Sequence, residues 1–176
     1  YNILKTKKIF AWQLQACSPM GNAIENNFST NIDFTKVIQF VKTHINNSYF
    51  TIGIADNIGY YVEKEGWLRG NTTGISPFLG CQAGLTNIGI DSIGNVRGCE
   101  SMYDAFFIEG NLRDKTLYEI WNSPDAFAYN RQFTPSQLSG KCKNCIHACQ
   151  CAGGCRSYNY FTNGKMYESS SCVLKI

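Results

Sequence analysis

Nine cysteines stand in 176 residues, and seven of them follow one long spacing that leaves few folds open to such a chain. Cys81 is followed by Gly94 and Cys99, then by Cys142-x2-Cys145-x5-Cys151-x3-Cys155, and after a further gap by Cys172. Short gaps put two thiolates within reach of one metal ion or cluster edge, and long gaps let distant segments close the site. Seven thiols exceed one four-coordinate centre. With Cys17 and Cys149 also at hand, the arithmetic points to two centres of about four thiolates each.

Composition narrows the setting. Hydrophobic content of 44% and aromatic content of 14% suffice for a buried core, and the length suits one domain, or a small domain with a piece of another. The net charge of +3 is mild and the lysines are scattered apart from Lys5, Lys7 and Lys8, so no nucleic-acid partner is expected. Metal bound to these thiolates would change that balance, so the charge of the bare chain does not name a partner. No run reaches the roughly 18 apolar residues of a membrane helix, and the basic start has too short an apolar stretch for a secretory signal. An odd cysteine count fits poorly with a closed disulfide framework. A reducing cytoplasm is therefore the expected location. The first residue is Tyr, inside what reads as a structured segment, so the chain is expected to be the C-terminal part of a longer protein.

Periodicity places the elements. Ile9 to Ala16 reads as a strand bounded by Ser18-Pro19 and Gly21, and Asn22 to Ile32 as a polar loop. From Asp33 on, Phe34, Val37, Ile38, Val41 and Ile45 mark one face of a helix capped by Asp33 or Asn31 and stopped by Asn46-Asn47-Ser48. Tyr49 to Ala55 is a second buried-type strand, which completes a βαβ unit. Gly66 to Gly80, rich in glycine, is expected to be a linker. Leu85–Asp91 and Asn95–Gly98 should form a hairpin closed by Gly94, with Ile88 and Ile90 on one face and Cys81 and Cys99 at neighbouring strand ends. Thr116-x-x-Glu119 is a capping box opening a short helix. Ser123-Pro124-Asp125 starts another, running to about Phe133. Beyond Cys142, little regular structure is expected.

The cysteine spacing, with its glycine, resembles the SPASM domain, the cysteine-rich C-terminal extension of many radical S-adenosylmethionine (radical SAM) enzymes. Glu109-Gly110-Asn111-Leu112, Thr116-Leu117-Tyr118-Glu119-Ile120-Trp121 and Gly153-Gly154-Cys155-Arg156 are similar to that family's text as well. Trp12-Gln13-Leu14-Gln15 with Pro19-x-Gly21 looks more loosely like the end of its catalytic barrel. The resemblance implies an α/β chain: residues 1–65 as the terminal βαβ portion of a partial (β/α)6 radical SAM barrel, 66–80 as linker, and 81–176 as a SPASM domain. That domain would comprise a β-hairpin, short helices and cluster-binding loops.

It also implies an interleaved ligand set. Cys142, Cys145, Cys151 and Cys172 would hold one 4Fe-4S cluster, and Cys81, Cys99 and Cys155 would belong to a second. On spacing alone, the four clustered cysteines with His147 nearby would also suit a zinc knot. Some family members carry a further cysteine just before the first one, where Ile75 and Ser76 stand here. The fourth ligand of the second cluster is thus Cys149 or Cys17, or the iron is open to a substrate thiolate. The open site is the favoured expectation, with Cys17 on the barrel rim facing substrate.

The initiating C-x3-C-x2-C triplet is absent: Cys145-x3-Cys149 is followed by Ala152, and Cys151-x3-Cys155 by Tyr158. S-adenosylmethionine and a third cluster are therefore expected only in a longer enzyme, and no catalytic residue is assigned. The implied function is oxidoreductase support of radical-based peptide or protein modification, such as maturation of ribosomal peptides, with an external electron donor. The alternative is a standalone, non-catalytic module that binds peptide or transfers electrons.

Overall fold

Two parallel strands and a small antiparallel meander organise the chain, which a computed structural model describes over residues 1–25, 32–46, 49–63, 65–70 and 78–174. The first half runs α1 (Asn2–Lys5), β1 (Ala11–Leu14), α2 (Asn22–Glu25), α3 (Phe34–His44), β2 (Thr51–Ile54) and α4 (Glu65–Leu68). Strands β1 and β2 pair in parallel, with Ala11 opposite Thr51 and Leu14 opposite Ile54. A parallel pair needs a crossover connection, and α3 supplies it. The Asp33 carboxylate starts α3 by accepting the Lys36 N–H at 3.1 Å. Its apolar face then buries Phe34, Ile38 and Val41 against Phe50, Ile52 and Ile54 of the second strand region.

Two details differ from expectation. Asn22–Glu25 winds into one helical turn rather than loop; residues 26–31 of that polar stretch, Asn31 among them, lie outside the described residues, as do Asn47 and Ser48. The stretch expected to be a linker begins inside a packed element. Glu65 and Leu68 of α4 are buried, and Glu65 accepts the Tyr61 N–H at 2.7 Å while pairing with Arg69 at 3.0 Å. A buried ion pair that also closes a backbone bond gives this glycine-containing segment a fixed place on β2. Residues 71–77 lie outside the described residues.

The second half holds β3 (Gly89–Ile90), β4 (Asn95–Arg97) and β5 (Gly110–Asn111), an antiparallel sheet in the order β3-β4-β5. Gly94 closes the β3–β4 turn at φ +91°, a backbone conformation that other residues rarely hold. The first arm is shorter than its sequence suggests, because the amides of Leu85, Thr86 and Asn87 all turn back onto the Gln82 carbonyl. Ile90 faces solvent and Gly89 faces inward. The Cys99–Glu100 backbone passes within 2.7–3.1 Å of where a Gly89 side chain would project. Strand β5 has no periodicity signal, since two residues carry none.

Asp91 organises the turn. Its carboxylate accepts the N–H groups of Ile93 and Asn95 and meets Arg97 at 2.7 Å. The Arg97 guanidinium, with the Asn95 donors, holds this carboxyl well below the usual carboxylate range. A depressed folded-state pKa adds stability above the unfolded value that is lost as pH falls through the folded one. Asp91→Asn is therefore expected to lower the melting temperature at neutral pH, with the gap to wild type closing only in strong acid. Melts recorded across pH check this; an unchanged gap down to strong acid would refute it.

Helices α5 (Leu117–Trp121) and α6 (Ala128–Arg131) follow. The capping box is present: Thr116 Oγ1 accepts the Glu119 N–H, and Glu119 accepts the Thr116 N–H at 2.7 Å. The helix expected from Pro124 to Phe133 is cut down to α6. Phe127 takes a left-handed conformation, φ +57°, and its ring fills the space a side chain at Gly84 would need. Arg131 stacks on that ring at 4.7 Å and donates to the Gly84 carbonyl at 2.9 Å. Tertiary packing overrides helix propensity here.

Beyond Cys142 the chain is more regular than expected, with α7 (Ala148–Cys151) and α8 (Arg156–Asn163). The first turn of α8 points inward through Arg156, Ser157, Tyr158 and Asn159, and Gly164 ends it at φ +72°. Among the described residues, no helix is long and apolar enough to cross a membrane.

Candidate metal centres

All nine cysteines are free thiols, and eight of them sort onto two cavities. Cys142, Cys145, Cys151 and Cys172 line a narrow cavity walled by Tyr60 and Tyr61. Cys81, Cys99, Cys155 and Cys17 line a cavity of about 640 Å³ that opens between the C-terminal ends of β1 and β2 and the cysteine-rich half. Cys149 is exposed on α7 and lines neither.

Several of the thiols have an element behind them. The meander and the turn at Gln82 carry Cys81 and Cys99 to one wall. Cys155 is the residue on which α8 begins, and its N–H donates to the Tyr60 hydroxyl at 3.0 Å. Cys151 ends α7 and is buried with Tyr60 and Phe78. Two backbone amides point at sulfur, His147 N–H to Cys145 Sγ at 3.4 Å and Ser169 N–H to Cys142 Sγ at 3.3 Å. His147 itself stacks on Tyr61, ring centroids 3.9 Å apart.

Electrostatics sort the thiols the same way. Burial, then the charges of Cys172, Cys142 and Cys145, push the Cys151 thiol up to about 12. Burial, then Cys81, push Cys155 up to about 12 as well. One buried cation stands between the two sets. Arg156 is 1% exposed, donates to Asn130 Oδ1 at 3.0 Å and to the Ala152 carbonyl, and stacks over Tyr167 at 4.4 Å. Burial lowers its pKa, while Cys81, Cys151 and Cys155 among its neighbours pull it back up. A guanidinium keeps its charge under such conditions, so it opposes the negative charge that thiolates on either side would carry.

The donor chemistry suits iron–sulfur clusters. Thiolates are their standard ligands, and amide donors to sulfur tune them. Ser169, buried beside Cys142, leaves its hydroxyl without a protein partner, a donor left over for a group in that cavity. Among the described residues no three His, Cys, Asp or Glu side chains converge as one metal ion needs.

Several residues of these sites carry no motif in the sequence. Asn57, 6% exposed, clamps Ala16 by accepting its N–H at 3.2 Å and donating to its carbonyl at 2.7 Å. Tyr60 is fully buried between the two thiol sets. Tyr158, in α8, lies near both Cys17 and Cys155. The one signal was position: Asp56-Asn57 and Tyr60 directly follow an apolar strand, where a parallel sheet presents its functional loops.

Comparison with known proteins points to the same class of cofactor. Residues 81–146 match the SPASM family, an iron–sulfur cluster-binding domain. Over 83 residues the chain is 34% identical to the mycofactocin maturase MftC of Mycobacterium ulcerans, covering 47% of this chain and 22% of that protein. Over 97 residues it is 33% identical to the AdoMet-dependent heme synthase of Methanosarcina barkeri, covering 54% and 26%. In fold it is similar to the crystal structure of Streptococcus suis SuiB bound to S-adenosylmethionine. That likeness has a TM-score of 0.63 at 17% identity, over 98% of this chain and 40% of that one. The matched stretch thus spans about a quarter of the curated relatives.

Proposed function

We propose that this chain, whose residues 81–146 match the SPASM family and which is similar to a mycofactocin maturase over part of its length, is the C-terminal part of a radical SAM/SPASM enzyme that modifies a peptide or protein by radical chemistry. In this reading it carries two auxiliary 4Fe-4S clusters, one on Cys142, Cys145, Cys151 and Cys172, the other on Cys81, Cys99 and Cys155. Residues 1–65 are the end of the catalytic barrel and 81–176 the cluster domain. The observation that carries the proposal is the sorting of eight thiols, from segments far apart in sequence, onto two cavities.

When bound, such clusters would supply one-electron acceptance close to substrate. The chain's own residues do the placing. Tyr60 holds the backbone of Cys155 from the side of the narrow cavity. Arg156 sets a fixed positive charge between the centres. Tyr60, Tyr61 and Phe78 keep water from Cys151, and a dry, low-dielectric surround governs the potential of a centre. The larger cavity, with Gln13, Gln15 and Asp56 on its other wall, leaves room for a polar substrate between the strand ends and the thiols. A peptide suits that polar wall, and the chain's relatives include a maturase.

Anaerobic reconstitution is expected to load about eight iron and eight sulfide onto residues 1–176, with broad absorbance in the visible. Stoichiometric zinc without sulfide would refute the reading. Reductive cleavage of S-adenosylmethionine by these residues alone would refute the assignment of that step to a separate, upstream cluster.

A further inference from the structure

Three thiols cannot close a four-iron cluster, and the larger cavity holds a fourth. We propose that Cys17, from the loop after β1, is the fourth protein ligand of the centre held by Cys81, Cys99 and Cys155. The proposal rests on the cluster assignment above and completes it. The sequence expectation placed Cys17 on a rim facing substrate, away from a cluster held by the other half of the chain; the structure puts it on the lining of the same cavity as the other three.

The placement is built rather than incidental. The residue before Cys17 is clamped on both backbone groups by Asn57, itself buried in the loop after β2. That double hydrogen bond ties the ends of two adjacent strands together and fixes the direction in which the chain leaves β1. A ligand pre-positioned this way loses less freedom on binding. The Cys17 sulfur itself makes only a long contact, 3.7 Å, to the Ser18 carbonyl, so no strong internal bond has to break for it to turn to iron. Cys149, the other unassigned thiol, is exposed as Cys17 is, but lines neither cavity. With Cys17 counted, the two cavities hold four thiols each.

Ligation requires no electron transfer. The Cys17 thiol gives its proton to solvent, its sulfur forms a bond to the fourth iron, and the water or free thiol held there leaves. The consequence is a covalent tie, through the metal, from the first parallel strand to the cysteine-rich half.

The test compares the anaerobically reconstituted wild-type protein with Cys17→Ala, Cys149→Ala and Cys81→Ala, reading iron content, electron paramagnetic resonance after mild oxidation, and uptake of isotopically labelled iron. Wild type and Cys149→Ala are expected to hold both clusters with no exchangeable iron. Cys17→Ala is expected to keep the second cluster but to shed one iron from the first on oxidation, giving a three-iron signal that refills with labelled iron. Exchangeable iron already present in wild type, or a Cys17→Ala protein indistinguishable from it, would overturn the proposal. If Cys81→Ala also changes nothing, the cluster assignment itself falls, which separates the two failures. If Cys17→Ala fails to fold, Cys17→Ser decides: an altered signal from one cluster only supports ligation, and an unaltered one refutes it.

Discussion

Cys151→Ala is expected to remove about four iron and four sulfide from the loaded protein while leaving a comparable amount in place. Cys151 is buried at the end of α7 with Tyr60 and Phe78. After burial, the thiols that act most on it are Cys172, Cys142 and Cys145. If the thiols were shared in chain order, as in a zinc knot of Cys142, Cys145, Cys151 and Cys155, the same substitution and Cys155→Ala would empty one and the same centre. Sorted as the structure has them, Cys151→Ala and Cys155→Ala empty different centres, although the residues are four apart. Iron and sulfide assays with magnetic spectra of the two variants read this directly. Identical losses with identical residual spectra would refute the interleaved arrangement.

Tyr60→Ala is expected to cost more than any other single substitution outside the cysteines. The side chain is fully buried and packs at a tilt against Phe78, ring centroids 4.6 Å apart. Its hydroxyl donates to the Asp56 carbonyl at 2.9 Å and accepts the Cys155 N–H at 3.0 Å. Gly154 lacks a side chain where the ring lies, since a Cβ there would come within 2.7 Å of it. Truncating a large buried aromatic costs about 3–5 kcal/mol, and a stranded buried amide adds about 1–3 kcal/mol. Tyr60→Phe keeps the ring and loses only the second part. The expected order in anaerobic urea denaturation is wild type, then Phe, then Ala, with Ala also losing iron from both centres. Equal stability of Phe and Ala would mean that the ring contributes nothing, and would sink the account.

How far the sequence speaks depends on the range over which each choice is made. Helix α3 and the capping box at Thr116 were legible because cap and apolar face lie within a few residues of one another. Gly94 was legible because a two-strand turn leaves no alternative at φ +91°. The expected ligand sets rested on spacing and resemblance; in the structure Cys142, Cys145, Cys151 and Cys172 line one cavity and Cys81, Cys99 and Cys155 another. The helix expected through Phe133 failed because Phe127 answers to Gly84, 43 positions upstream. Helix α8 was passed over because its first turn, Arg-Ser-Tyr-Asn, is polar yet buried, which inverts the usual hydrophobic signal. Asn57 and Tyr60 act on Ala16 and Cys155 across long loops, and no local pattern announces such partners.

The crossing of the two thiol sets along the chain also dictates when the sites can exist during synthesis. Cys81 and Cys99 leave the ribosome well before their partner at Cys155, and by then Cys142, Cys145 and Cys151 have already emerged while still waiting for Cys172. Neither cavity can be finished in passing. A nascent chain halted before Cys155 would expose six thiols of the two sets and complete neither, so on the proposed assignment cluster delivery has to wait for a nearly finished polypeptide.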